Sequence, residues 1–96
     1  MTYLVRIELH NGALVDYQNL HNQLSQNQFL NAIRGVDGVN YRLPRALYLI
    51  EYGGQISNVH DAVHQIVKSL NKTAEIFVVK FNLNDSMFSG LEAIRG

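Results

Sequence analysis

The chain has no cysteine and no tryptophan, and only one proline among its 96 residues. Without cysteine there are no disulfides, no thiolate metal ligands and no cysteine nucleophile. An excess of one charge is missing too: eight Lys and Arg balance eight Asp and Glu. That balance excludes a strongly basic protein that coats nucleic acid, and an acidic one, while leaving room for a local basic patch. No apolar run approaches the ~18–20 residues of a membrane helix. The N-terminal stretch Met1–Gly12 alternates and carries charge within its apolar part, unlike a signal peptide. The expectation is a single cytoplasmic domain over 1–96, without membrane association. Apolar residues make up 47% of the chain, as in globular proteins and unlike disordered ones. A chain of this length has room for one core.

Hydrophobic spacing predicts the elements. Tyr3 to His10 alternates with period two, Tyr3, Val5, Ile7 and Leu9 on one face, and reads as a strand. Asn11-Gly12 breaks it. A helix follows over about 16–27, with Asp16 as its cap and Tyr17, Leu20 and Leu24 on one stripe. Phe29–Arg34 reads as a second strand and Asp37-Gly38 as a turn. The stretch Val39–Arg45 holds Pro44, which cannot donate to a ladder, so it is expected as a loop or distorted edge. Ala46–Tyr52 is a third strand. Ser57 caps a second helix with the stripe Val59, Ala62, Val63, Ile66, Val67 and Leu70. Ala74–Phe81 is a fourth strand, and the tail offers either a short helix capped by Asp85 or a fifth edge strand.

The order β-α-β-β-α-β predicts an α+β, ferredoxin-like domain: a four-stranded antiparallel sheet, two helices on one face and a C-terminal tail. Strands one and three are expected in the middle. This topology brings His10, Asn11, Arg34, the 35–45 loop with Arg42, Arg45 and Lys72 to one edge. Arg34, Arg42, Arg45 and Lys72 are half of the eight cations, so a neutral chain acquires a positive edge. If Val5, Ile7, Phe77 and Val79 face the helices, Leu4, Ile76 and Val78 lie on the open face, joined by strand-three residues. An apolar open face predicts a cover: the tail Asn82–Gly96 or a second subunit, with a homodimer favoured.

Most other constellations carry little chemistry. His60 and His64 stand four apart on the second helix, a spacing that can share a metal. Asp61 occupies the place of the metalloprotease Glu, and no third ligand is visible, so a solvated helix face is the simpler reading. No metal or cofactor is expected. The glycines fit turns rather than phosphate loops, and no serine sits in a nucleophile elbow. Tyr3, Tyr48 and Tyr52 could stack on bases, as strand aromatics do in RNA-recognition domains. The third strand lacks that module's Gly-Phe pattern, which favours core or interface tyrosines. His10 closes the first strand beside Asn11-Gly12. RNA cleavage through the 2′-hydroxyl needs an acid, a base and a positive group, which His and Arg can supply. A turn-forming role for His10 is the alternative.

Three segments together, Tyr-Leu-Val-Arg-Ile-Glu-Leu-His-Asn (3–11), Asp-Tyr-Gln-Asn-Leu-His (16–21) and Gly-Val-Asn-Tyr-Arg-Leu-Pro-Arg-Ala-Leu-Tyr (38–48), resemble the GhoS-type endoribonuclease antitoxins of bacteria and phages. The resemblance covers roughly residues 3–80 and is strongest in the first half. It implies a ferredoxin-like fold and cleavage of the messenger RNA of a small membrane-damaging toxin. It also implies kinship with the small CRISPR-associated adaptation nuclease and the virulence-associated D-type RNases. The CRISPR type carries Asp at the end of strand one; here Glu8 and His10 stand there, so its metal mechanism does not transfer. No catalytic motif of the family carries over residue by residue.

The expected function is an endoribonuclease-like antitoxin that cleaves or binds RNA, in particular a toxin messenger. His10 and Arg34 are its candidate catalytic residues, and Asn11, Arg42, Arg45 and Lys72 its candidate RNA contacts. The alternative is a non-catalytic, homodimeric binding module of the same fold.

Overall fold

The computed structural model describes residues 1–94. Its centre is strand β1 (Thr2–Leu9), flanked on both sides by antiparallel strands, β4 (Leu47–Glu51) and β5 (Ala74–Phe81). Val5 lies opposite Tyr48 on one side and Val78 on the other. The alternation of β1 decides which face is covered: Tyr3, Val5, Ile7 and Leu9 are all buried. Helices α1 (Leu14–Gln26) and α2 (Ile56–Ser69) pack on that face through Leu20, Leu24, Val59, Val63 and Val67. Ala62, expected on the α2 stripe, is exposed. Neither helix starts at its expected cap. α1 begins at Leu14, which puts Asp16 in its first turn, where Oδ2 accepts the Ala13 N–H at 2.8 Å. α2 follows Gln55 rather than Ser57.

Both helices end alike. After α1, Gln28 takes φ 70°, its N–H bonds to the Ser25 carbonyl, and the Phe29 N–H reaches back to Leu24 at 3.0 Å. After α2, Asn71 takes φ 58° and the Lys72 N–H reaches Val67 at 3.3 Å. This is the Schellman stop, in which a left-handed residue turns the chain and the last carbonyls of the helix find partners; after α1 an apolar residue also follows the turn into the core. That residue is Phe29, 2% exposed.

The stop also reshapes the second expected strand. Phe29–Arg34 does not run as a fourth member of the sheet. Leu30 alone pairs with β4, exchanging both backbone bonds with Leu49 at 2.7 and 2.8 Å. The chain then leaves: β2 (Ala32–Arg34) pairs with β3 (Asn40–Arg42) as a separate two-stranded sheet. The segment 39–45, expected as a loop or a distorted edge, therefore contains a short strand, Asn40–Arg42. The turn is local and well held. The Gly38 N–H bonds to Gly35, Gly38 takes φ 79°, and Asp37 accepts from the Val39 N–H and the Tyr41 hydroxyl. Short loops close at low entropic cost, and these backbone groups find their partners in the hairpin rather than in β4. The result is a mixed α+β fold, roughly ferredoxin-like, with three strands in the main sheet instead of four.

The tail forms a short 3₁₀ turn (Leu83–Asp85) and then runs beside β3, Ala93 bridging to Tyr41. Phe88 packs on the Tyr41 ring at 5.3 Å. Of the expected cover Asn82–Gly96, the last two residues lie outside the described residues. The parity expected for β5 is reversed. Ile76 and Val78 pack on the core, while Phe77 is 66% exposed on the open face. Register dictates this, since Ile76 stands opposite Ile7 and Phe77 opposite Arg6. Among the described residues, no helix is long and apolar enough to cross a membrane.

Candidate functional site

The expected cationic edge is divided. At the C-terminal end of β1, the His10 N–H donates to the Thr73 carbonyl at 2.9 Å, and His10 Nδ1 lies 2.8 Å from the Thr73 hydroxyl. Lys72 is beside them, bonded to the Asn11 carbonyl at 3.1 Å and paired with Asp16 at 3.3 Å. Its charge is spent on tying the 10–16 turn to the end of α2. Asn11, at φ 55°, is a turn residue. Arg34 is elsewhere: it borders a hollow of about 220 Å³ with Thr2, Glu51, Phe81 and Leu83, toward the N-terminal end of β1. The eight residues of β1 span about 24 Å at ~3.4 Å each. The expected meeting of His10 and Arg34 does not occur, because the departure of the β2–β3 hairpin from the sheet carries Arg34 away.

The backbone N–H of Ala13 and then Lys72 hold the Asp16 carboxylate below its ordinary value of 3.8. A carboxylate lowered in the folded state contributes stability above its unfolded value, and that contribution is lost as pH falls through the folded one. Asp16→Asn is therefore expected to lower the urea midpoint at pH 7, and the gap to wild type should close below about pH 4. Urea titrations at pH 7 and pH 3 check this; an equal gap at both would contradict the tie.

Arg42 and Arg45 do come together, but in a groove between α1 and the segment leading into β4. The groove holds about 360 Å³ and is walled by Leu14, Tyr17, Gln18, His21 and Asn22 from α1. Asn31, Arg42, Leu43, Arg45, Ala46 and Tyr48 form the other side. Its shape follows from local chemistry. The Leu47 N–H closes a four-residue turn onto the Pro44 carbonyl at 3.2 Å, with Ala46 at φ 67° in the third position. A residue with a Cβ is strained there by about 1–2 kcal/mol. Asn31 clamps the turn, its amide donating to Pro44 at 3.1 Å and Leu47 at 2.6 Å. The Arg45 guanidinium lies over the Tyr17 ring, 5.1 Å from its centroid, and the Tyr17 hydroxyl accepts the Leu9 N–H at 3.0 Å.

Among the described residues, no carboxylate lines this groove. Among the described residues neither arginine has an acidic partner within 4.0 Å. Two unpaired guanidiniums on an aromatic and amide-lined wall make a site for an anion attached to a flat, hydrogen-bonding body. His21 joins them, its Nδ1 lying 3.0 Å from the Tyr48 hydroxyl. Burial pushes the Tyr48 phenol up to about 12. His21 was not among the residues singled out from the sequence. A signal existed: Tyr17, Leu20, His21 and Leu24 follow the i, i+3, i+4, i+7 spacing of a core-facing stripe, so a polar side chain at 21 had to find a partner. The other two histidines stack on the exposed side of α2, centroids 6.3 Å apart. Among the described residues no three His, Asp or Glu side chains gather as a metal site.

No family model and no curated protein matches this chain. The functional reading therefore rests on the groove.

Proposed function

We propose that this chain is an RNA-binding protein of the endoribonuclease-antitoxin kind, working in the cytoplasm and taking single-stranded RNA, such as a toxin messenger, into the α1 groove. The observation that carries this reading is the pair Arg42 and Arg45 in a groove without a carboxylate. Arginines hold phosphates and set register on a nucleic acid. The Asn22 and Asn31 amides are the group types that hydrogen-bond to exposed bases, and the Arg45 guanidinium over the Tyr17 ring is a flat group of the kind on which bases stack. The resemblance over residues 3–80 points the same way, and it includes Tyr17, His21, Arg42 and Arg45. The ferredoxin-like reading at family level is supported by central β1 and by the Leu30–Leu49 bridge, which stands where a fourth strand would. The test is a gel assay with a mixed RNA ladder, with and without EDTA. Retardation or discrete cleavage is expected; neither would refute the reading.

A second property, homodimerisation through the open sheet face, is favoured by Phe77, which is 66% exposed beside Leu4 and Val79. Light scattering at micromolar concentration is expected to give twice the chain mass, and Phe77→Glu a single chain. A wild-type monomer rules this out.

A further inference from the structure

We infer that His21 is the general base of RNA cleavage in this groove, its Nε2 taking the proton of the 2′-hydroxyl beside the phosphate that Arg42 and Arg45 hold, with Tyr48 positioning it through Nδ1. The inference rests on the RNA reading above and adds a reaction to it.

The geometry selects the nitrogen. Nδ1 is engaged by the Tyr48 hydroxyl at 3.0 Å, which leaves Nε2 for a ligand. A base needs the tautomer with its proton on Nδ1, donated to the Tyr48 oxygen, and a lone pair on Nε2. Tyr48 is 3% exposed, and its phenol stays a neutral hydroxyl through the whole range in which an imidazole titrates. It can therefore hold the ring orientation at every working pH. Among the described residues, the titratable and charged groups lining the groove around His21 are Tyr17 from α1, Tyr48 from β4, Arg42 at the end of β3 and Arg45 from the segment between β3 and β4. None of them is a carboxylate, so nothing on this wall competes for the proton.

The step balances without another reagent. The 2′-oxygen gives its proton to Nε2 and bonds to phosphorus, and the bond from phosphorus to the 5′-oxygen breaks. The leaving oxygen takes a proton from water, and the imidazolium returns its own to solvent. The products are a 2′,3′-cyclic phosphate and a 5′-hydroxyl. Arg42 and Arg45 stand where the extra negative charge develops on the phosphoryl oxygens.

The test follows cleavage and retention of one labelled single-stranded oligoribonucleotide, in EDTA, across pH 5–9. Wild type is expected to yield cyclic-phosphate ends, with a rate that rises with pH, because the base acts in its neutral form. His21→Ala is expected to lose about 10²-fold or more in rate, keep its RNA affinity within about twofold, and recover part of the rate in added imidazole. Alanine is the best helix former, so α1 should survive. Tyr48→Phe keeps the ring but frees Nδ1; it should lower kcat about tenfold at unchanged KM and flatten the pH profile. His64→Ala serves as a control and should match wild type. Cleavage by His21→Ala at the wild-type rate overturns the inference, as does wild type that retards RNA without cutting it; in both cases RNA binding stands. Wild type that neither retards nor cuts RNA overturns the RNA reading itself.

Discussion

Phe29→Ala is expected to lower the melting temperature by about 12–40 °C. Phe29 is 2% exposed and among the largest fully buried side chains. Truncating a buried phenylalanine costs about 3–5 kcal/mol, because the transfer energy of the ring is lost and the surroundings close only partly over the gap. A domain of this size has a total stability of about 5–15 kcal/mol, and each kcal/mol moves its midpoint by about 4–8 °C. The residue also terminates α1, its N–H bonding to Leu24, so the loss reaches the helix that forms one wall of the groove. Calorimetry or a circular-dichroism melt reads the shift. A change below about 5 °C would mean that the ring is not in the core and that the segment lies flat along the sheet, as the sequence pattern predicted.

The second large effect concerns the groove. Replacing both Arg42 and Arg45 by alanine is expected to weaken single-stranded RNA binding by about 10²-fold or more, since a hydrogen bond to a charged group is worth about 1.5–3 kcal/mol. The slope of log affinity against log salt should fall by about 1.4, at ~0.7 for each phosphate contact given up by a single strand. Lys72→Ala makes the contrast. Its ammonium is already engaged by Asp16 and the Asn11 carbonyl, so RNA affinity and slope should stay near wild type while stability falls. Filter binding at several salt concentrations separates the two. A double arginine variant with an unchanged slope would remove the groove from consideration, and a steep loss in Lys72→Ala would restore the His10 edge.

The tests of His10 and His21 differ in the same way. His10 is exposed, and its ring bonds to Thr73 at a turn, which is the turn-forming alternative for that residue. His21 lines one groove with two arginines and bonds to a buried tyrosine. From sequence the two looked reversed in interest. His10 ended a clear strand beside Asn-Gly, whereas His21 sat among Asn and Gln on a weakly apolar helix. Only the packing of α1 against the turn at Pro44 brings His21, Arg42 and Arg45 within one cavity.

The sequence by itself determined whatever depends on local periodicity. The alternation in Tyr3–Leu9 has one polar and one apolar side, so it defined both the strand and its buried face. The four-residue spacing of Val59, Val63 and Val67 did the same for α2. Where the pattern carried no such contrast, the outcome waited for tertiary structure. Ile76, Phe77, Val78 and Val79 are apolar in succession, so alternation could not say which pair faces the helices; pairing with β1 decided it. Phe29–Arg34 is β-prone, but β-propensity does not name a partner. The Schellman turn at Gln28 and the tight hairpin at Gly35–Gly38 gave its backbone nearer partners than β4. With that choice the second expected strand kept only Leu30 against β4, Arg34 moved away from His10, and Arg42 and Arg45 were left facing α1. The separation is physical: side-chain spacing sets local form, whereas the meeting of charges distant in sequence depends on which backbone groups pair with which.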